Sequence, residues 1–148
     1  MKINLCQIEE FNLSCMGCCG HDFTSREEIE EALRKNTLTY NEAKDKKEWG
    51  KRSPNFVRPC GMCYNVIKVD DKVFCPLHPE RNGGKELRDI DCEHGYMCET
   101  LKKFKYWDEN KQKAFVEFLK PKKLDWYEYS MGMDSSSLLK EFEKEYKE

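Results

Sequence analysis

Nine cysteines stand in a chain of 148 residues, and their placement constrains the fold more than any other feature. They are Cys6, Cys15, Cys18, Cys19, Cys60, Cys63, Cys75, Cys92 and Cys98, and the three histidines, His21, His78 and His94, each lie close to one of them. The count is odd. The N-terminus, MKINLC, turns polar at Gln7, Glu9 and Glu10, so it does not read as a secretion signal. A disulfide framework is therefore the weaker reading, and scattered apolar thiols leave the C-x-x-C pairs unexplained. Thiolates in a reducing compartment point to zinc or iron.

The strongest local motif is Cys60-Gly-Met-Cys63, followed after eleven residues by Cys75-Pro-Leu-His78. Two side chains three apart on a tight turn can grip one ion, and two such turns at the ends of a hairpin bring four ligands together. This is the arithmetic of a zinc ribbon holding three cysteines and one histidine. A second group is Cys15, Cys18, Cys19, Cys92 and Cys98, with His21 and His94 as alternates or as donors to the thiolates. It would pin the N-terminal loop to the C-terminal half through a second ion, whose binding energy would be folding energy. Cys6 has no partner at gripping distance and reads as a buried thiol. The cofactor expected is Zn2+, one or two ions, with an iron–sulfur cluster as the alternative because four thiolates serve either.

The run Cys15-Met-Gly-Cys18-Cys19, with Cys63, Val73-Phe74-Cys75-Pro-Leu-His-Pro79 and Cys92, resembles the Cys-rich zinc- or iron-chelating domains of bacteria and archaea. The resemblance spans roughly residues 14 to 98 and implies that Cys15, Cys18, Cys19, Cys63, Cys75 and Cys92 are the family's metal-binding cysteines. Cys60 adds a second C-x-x-C to that pattern, and Arg88-Asp-Ile-Asp stands where the family carries Arg-Pro before its last cysteine.

Between the cysteines, Ser25 with Glu28 marks a helix start, and Ile29, Ala32 and Leu33 give that helix a narrow apolar stripe that should end near Asn36. Thr39 with Glu42 reads as a second capping box opening a weak helix to Trp49. Tyr64–Val69 and Val73–Phe74 read as strands joined by a turn at Asp70-Asp71-Lys72. Helices are expected near His94–Lys103 and Asp108–Leu119, an extended piece at Trp126–Tyr129, and a tail helix from Asp134 with Leu138, Leu139, Phe142 and Tyr146 on one face. The expected fold is thus α+β: a single metal-stabilised domain over residues 1–148, with a zinc-ribbon-like hairpin and about four to five peripheral helices. The amphipathic segment 134–148 would pack on that domain or on a partner protein.

Charge argues against a nucleic-acid partner: 26 Lys and Arg are interspersed with 28 Asp and Glu, for a net −2. The run from Lys44 to Arg58 is basic, but Asp45 and Glu48 interrupt it, and it reads mostly as solvated surface. A zinc-ribbon nucleic-acid binder using Lys46, Lys47, Lys51, Arg52 and Arg58 is the third alternative. No stretch approaches the roughly 20 apolar residues of a membrane span, and the expected location is cytoplasmic. There is no H-E-x-x-H, and thiolate-rich sites filled by protein are structural more often than catalytic. The function expected is metal binding in a structural role, with an iron–sulfur or metal-dependent enzyme or accessory protein as the rival.

Overall fold

The structure, a computed structural model, describes residues 3–17, 20, 22–52, 57–88 and 98–146. The chain forms two compact units, Met1–Cys18 with Met97–Glu148, and Cys19–Tyr96.

The Cys19–Tyr96 unit is built on a helix and a hairpin. Helix α1 (Arg26–Glu42) starts where Ser25 accepts the Glu28 N–H at 3.2 Å. It does not stop at Asn36. The Thr39 hydroxyl, expected to open a new helix, instead donates back to the Asn36 carbonyl at 3.1 Å and accepts the indole N–H of Trp49 at 3.0 Å. Asp45 supplies the real second cap, bonding Glu48 N–H ahead of the short helix α2 (Lys46–Gly50). Strands β3 (Ile67–Val69) and β4 (Lys72–Phe74) pair antiparallel, with Lys68 opposite Val73. Asp70 and Asp71 join them with φ of 48° and 66°, the two left-handed positions of a two-residue hairpin turn. Trp49, Ile67 and Leu77 form the apolar centre, with Tyr40, Ala43, Phe74, Cys75 and Leu87 packed around it.

The segment leading into the hairpin is stitched by backbone bonds. Val57 bridges Cys63 and Gly20 bridges Met62. Arg58 N–H donates to the Met62 carbonyl and Gly61 N–H to the Arg58 carbonyl, both at 2.8 Å. The approach at Gly20 is close enough to require glycine: an added Cβ would stand 2.1 Å from the Gly61 carbonyl oxygen.

The other unit is mainly helical. Strands β1 (Gln7–Ile8) and β2 (Leu13–Ser14) form a short hairpin. Helices α3 (Glu99–Phe104), α4 (Glu109–Leu119), α5 (Trp126–Asp134) and α6 (Ser137–Glu145) follow. Residues 126–129 are helical rather than extended, because Asp125 caps Glu128 N–H at 2.8 Å while the Glu128 carboxylate accepts the Asp125 N–H. Ser136, at φ 64°, separates α5 from α6, so the tail helix starts at Ser137 rather than Asp134. Leu5, Ile8, Leu13, Phe104, Phe115, Leu119, Tyr129, Met133, Leu138 and Phe142 make the core of this unit. The Tyr129 hydroxyl donates to the Leu5 carbonyl at 2.6 Å and Ser130 Oγ accepts the Met16 N–H at 2.9 Å, which ties α5 to the N-terminal hairpin.

These elements correct the expected architecture. Among the described residues the fold is mixed α/β, with six α-helices and two separate two-stranded sheets, and it is not a zinc ribbon. The hairpin between Cys63 and Cys75 exists, but among the described residues the Cys and His side chains at its ends are not gathered into a group able to hold a metal. Met62, Val66, Ile67 and Leu77, in and beside the hairpin, are buried, and side-chain amides hold its flanking loops. Among the described residues no helix is long and apolar enough to cross a membrane.

Candidate functional site

The expected metal ligands divide between the two units. Cys60 and Cys63 are buried in the loop before β3. Cys63 Sγ accepts the Asn65 N–H at 3.4 Å. Cys75 packs beside the Trp49 cluster, and the turn to His78 is closed by His78 N–H donating to the Cys75 carbonyl at 3.2 Å. Asn82 Nδ2 then donates to the carbonyls of Pro76 (2.8 Å) and His78 (2.9 Å), so an amide does the turning work assigned above to a His78–metal bond. Cys15 and Cys98 lie in the other unit, where Cys15 Sγ accepts the Gly17 N–H at 3.3 Å and Cys98 precedes α3. Cys18, Cys19, Cys92, His21 and His94 lie outside the described residues.

Among the described residues no group of three or more His, Cys, Asp or Glu side chains is placed to hold a metal ion. That finding overturns the zinc and iron–sulfur expectations for this chain. The structural metal-binding role goes with them, as does the resemblance to the chelating domains, which rested on the same cysteines. Cys6 is partly exposed rather than buried.

Cys6, Cys15 and Cys98 have a different consequence. Burial, and then the charges of these three groups with Cys15 foremost, hold the Tyr129 hydroxyl well above the ordinary tyrosine range. An unfolded tyrosine loses its proton near pH 10, before the folded one does. The stability this phenol contributes is therefore complete below about pH 10 and is lost as the pH rises beyond it. The expected result is that Tyr129→Phe is less stable than the parent at pH 8 and that the gap narrows above pH 10. Urea unfolding at pH 8, 9.5 and 10.5 measures it, and a gap constant across that range would remove the argument.

What organises the loop around Cys63 is Asn36, which is fully buried. Its Nδ2 donates to the carbonyls of Val66 (2.8 Å) and Cys63 (3.1 Å). Its Oδ1 accepts from Arg52 Nη2 (3.2 Å), Arg58 Nε (3.0 Å) and Arg58 Nη2 (2.8 Å). One neutral oxygen thus takes hydrogen bonds from two guanidiniums. The other acceptors of Arg52 are also neutral: Trp49 O and Asn65 Oδ1 from Nη1, and the Tyr64 carbonyl in a very short bond from Nη2. Among the described residues no carboxylate bonds to either arginine.

Bound to the same oxygen, the two cations are held within a few ångström of each other. At 4 Å and an effective dielectric near 20, two like charges repel by about 4 kcal/mol before screening. The repulsion is visible on Arg52: burial first, and then the charge of Arg58, pushes its guanidinium down to about 10, while Cys63 and Tyr64 pull the other way. Aromatic faces supply part of the compensation. The Arg52 guanidinium lies 4.1 Å from the Trp49 ring centre and that of Arg58 lies 4.3 Å from Tyr64.

The two arginines differ in what they leave free. All four Nη hydrogens of Arg52 have acceptors. Arg58 presents its Nε–Nη2 edge to Asn36, and no described residue accepts from its Nη1. Among the described residues the opposite edge, Nη1 with the second hydrogen of Nη2, has no acceptor and is a two-pronged donor on a partly exposed side chain.

This site was not found in the sequence, although signals were present. Asn36 continues the stripe Ile29, Ala32, Leu33 at helical spacing, and a polar residue in that position is a buried one that needs partners. Two rings, Trp49 and Tyr64, flank the two cations Arg52 and Arg58 in the sequence. No protein-family model, curated protein or solved structure matches the chain.

Proposed function

We propose that this chain is a binding protein that takes up an anion on Arg58, in the field of Arg52, and holds it rather than converting it. The observation that carries the reading is the sharing of one neutral amide oxygen by two guanidiniums with no described carboxylate to balance them. Such a pair is costly to assemble in the absence of a ligand, and an anion on the vacant edge of Arg58 would offset the repulsion. The site is ordered in advance. The backbone of Arg58 is bonded on both sides, its guanidinium carbon lies 4.3 Å from the Tyr64 ring centre, and its inner edge is fixed by Asn36. A guanidinium does not exchange its proton near neutral pH, which suits it to holding a charge rather than moving one.

The test is a titration of the full chain with inorganic phosphate at low ionic strength, read on the Arg Nε–Hε NMR signals. The expected Kd lies near 1 mM, about 4 kcal/mol of binding. Arg58→Gln should weaken binding at least tenfold while leaving the circular dichroism spectrum unchanged, because the side chain is partly exposed. Saturation of Arg58→Gln at the parental Kd would end the reading.

A further inference from the structure

The donors left free at Arg58 and the charge beside them also limit the class of anion. One edge can receive two oxygens side by side, which both a carboxylate and a phosphoryl group can offer. The geometry of the fork alone does not separate them. Charge does. The ligand meets Arg58 directly and Arg52 at second remove, and Arg52 has no Nη hydrogen to spare, so its contribution is its field. A monoanion leaves the pair with a net positive charge. A dianion balances both guanidiniums, and the second negative charge is attracted by each of them. The aromatic surroundings add little selectivity for the rest of the ligand. Trp49 is only 5% exposed and already covered by Arg52. Tyr64 lies beneath Arg58, with Arg52 5.9 Å from the same ring centre. Recognition therefore falls on the charged head of the ligand.

Resting on the anion-binding reading above, we infer that the ligand class is a terminal phosphoryl group carried as a dianion, received on the Nη1–Nη2 edge of Arg58 over Tyr64 and balanced by Arg52. Phosphate monoesters meet that description near neutral pH, since their second ionisation lies near pH 6, and inorganic phosphate, a weaker acid at that step, is mostly dianionic by the pH 7.5 of the test. Carboxylates and phosphodiesters, with one charge each, do not.

The test uses the full chain at pH 7.5 with four probes: phenyl phosphate, inorganic phosphate, dimethyl phosphate and acetate. Binding is followed on the Arg58 and Arg52 Nε–Hε signals in the parent, and on the Arg52 signal in the Arg58 variant, since both guanidiniums share the Asn36 oxygen. Phenyl phosphate or inorganic phosphate should bind at least tenfold more tightly than dimethyl phosphate and acetate, and comparing the first two tells an ester from the free ion as the source. Arg58→Lys keeps the charge and loses the fork, so it should weaken the better of those two at least threefold. It should bind the four probes with a flatter ranking, its fold checked by circular dichroism. If dimethyl phosphate or acetate binds within tenfold of the better phosphate, the phosphoryl assignment is overturned while anion binding stands. If none of the four moves the Arg58 signal, both are overturned.

Discussion

Replacing Asn36 with leucine should cost the protein about 3–5 kcal/mol of folding free energy, a sum of stranded carbonyls and unbalanced cations. The amide is fully buried and all its hydrogen-bonding capacity is used. Leucine has a similar volume and suits the apolar stripe of α1, so cavity formation is not the cause. The cost comes from what is left behind. The carbonyls of Cys63 and Val66 lose their donor, at about 1–3 kcal/mol for each that stays dry. Arg52 and Arg58 lose their common acceptor and keep their mutual repulsion. Urea denaturation with tryptophan fluorescence gives the free energy, and Trp49, which α2 packs against this region, reports it locally. Asn36→Asp separates the two contributions. It returns an acceptor, now charged, to the guanidiniums but gives the two carbonyls no donor. It should remain destabilised and should also lose phosphate binding, because the counter-charge is already in place. An Asn36→Leu protein that unfolds within about 0.5 kcal/mol of the parent would show that the amide organises nothing.

The position of Asn36 also explains why the sequence was misleading about this region. Two C-x-x-C/H turns around a short hairpin ask for something to tie the turns to the rest of the chain, and a metal ion is the usual answer. Here two amides provide it. Asn36 fastens the loop before β3 to α1, and Asn82 closes the turn after β4. Asn36 has no local signature, because its partners lie 16 to 30 residues away in sequence, whereas those of Asn82 lie only 4 and 6 residues back.

Local signals were legible where a side chain acts on its own neighbours. Ser25 caps α1 and Asp70-Asp71 turns the hairpin, each within three or four residues. Errors arose where two local readings compete. Thr39 and Glu42 have the spacing of a capping box, yet the threonine hydroxyl is taken by Trp49, so α1 runs through it. The aromatic run Trp126-Tyr127-Glu128-Tyr129 has strand propensity, yet Asp125 and Glu128 close a reciprocal cap and make it helix. Arg52 and Arg58 lie in a basic run of the kind that is usually solvated. Covering an arginine depends on acceptors brought in by the fold, and here these are the amide oxygens of Asn36 and Asn65 and the carbonyls of Trp49 and Tyr64, most of them distant in sequence.

Phe115→Ala should be the most destabilising change in the helical unit, at about 3–5 kcal/mol. Phe115 is fully buried on α4, and four other rings surround it: Phe142 at 5.1 Å between centres, Trp107 at 5.8 Å, Phe118 at 5.9 Å and Phe104 at 6.2 Å. Three of these meet it edge to face, the arrangement in which ring quadrupoles attract. Removing the ring therefore loses both its transfer free energy and contacts from three helices and the α3–α4 turn. The four neighbours are themselves fixed by one another, since Phe142 packs on Trp107, Phe118 and Tyr146, so the cavity has little room to collapse. Phe118→Ala, on the same helix but only partly buried, should cost clearly less, and Leu38→Ala, at a side chain 51% exposed on α1, should stay within about 0.5 kcal/mol of the parent. Thermal and urea unfolding of the three variants orders them. Equal losses for Phe115→Ala and Phe118→Ala would show that the aromatic cluster yields around a missing ring, and that this unit draws its stability from the whole helical layer rather than from one interlocked centre.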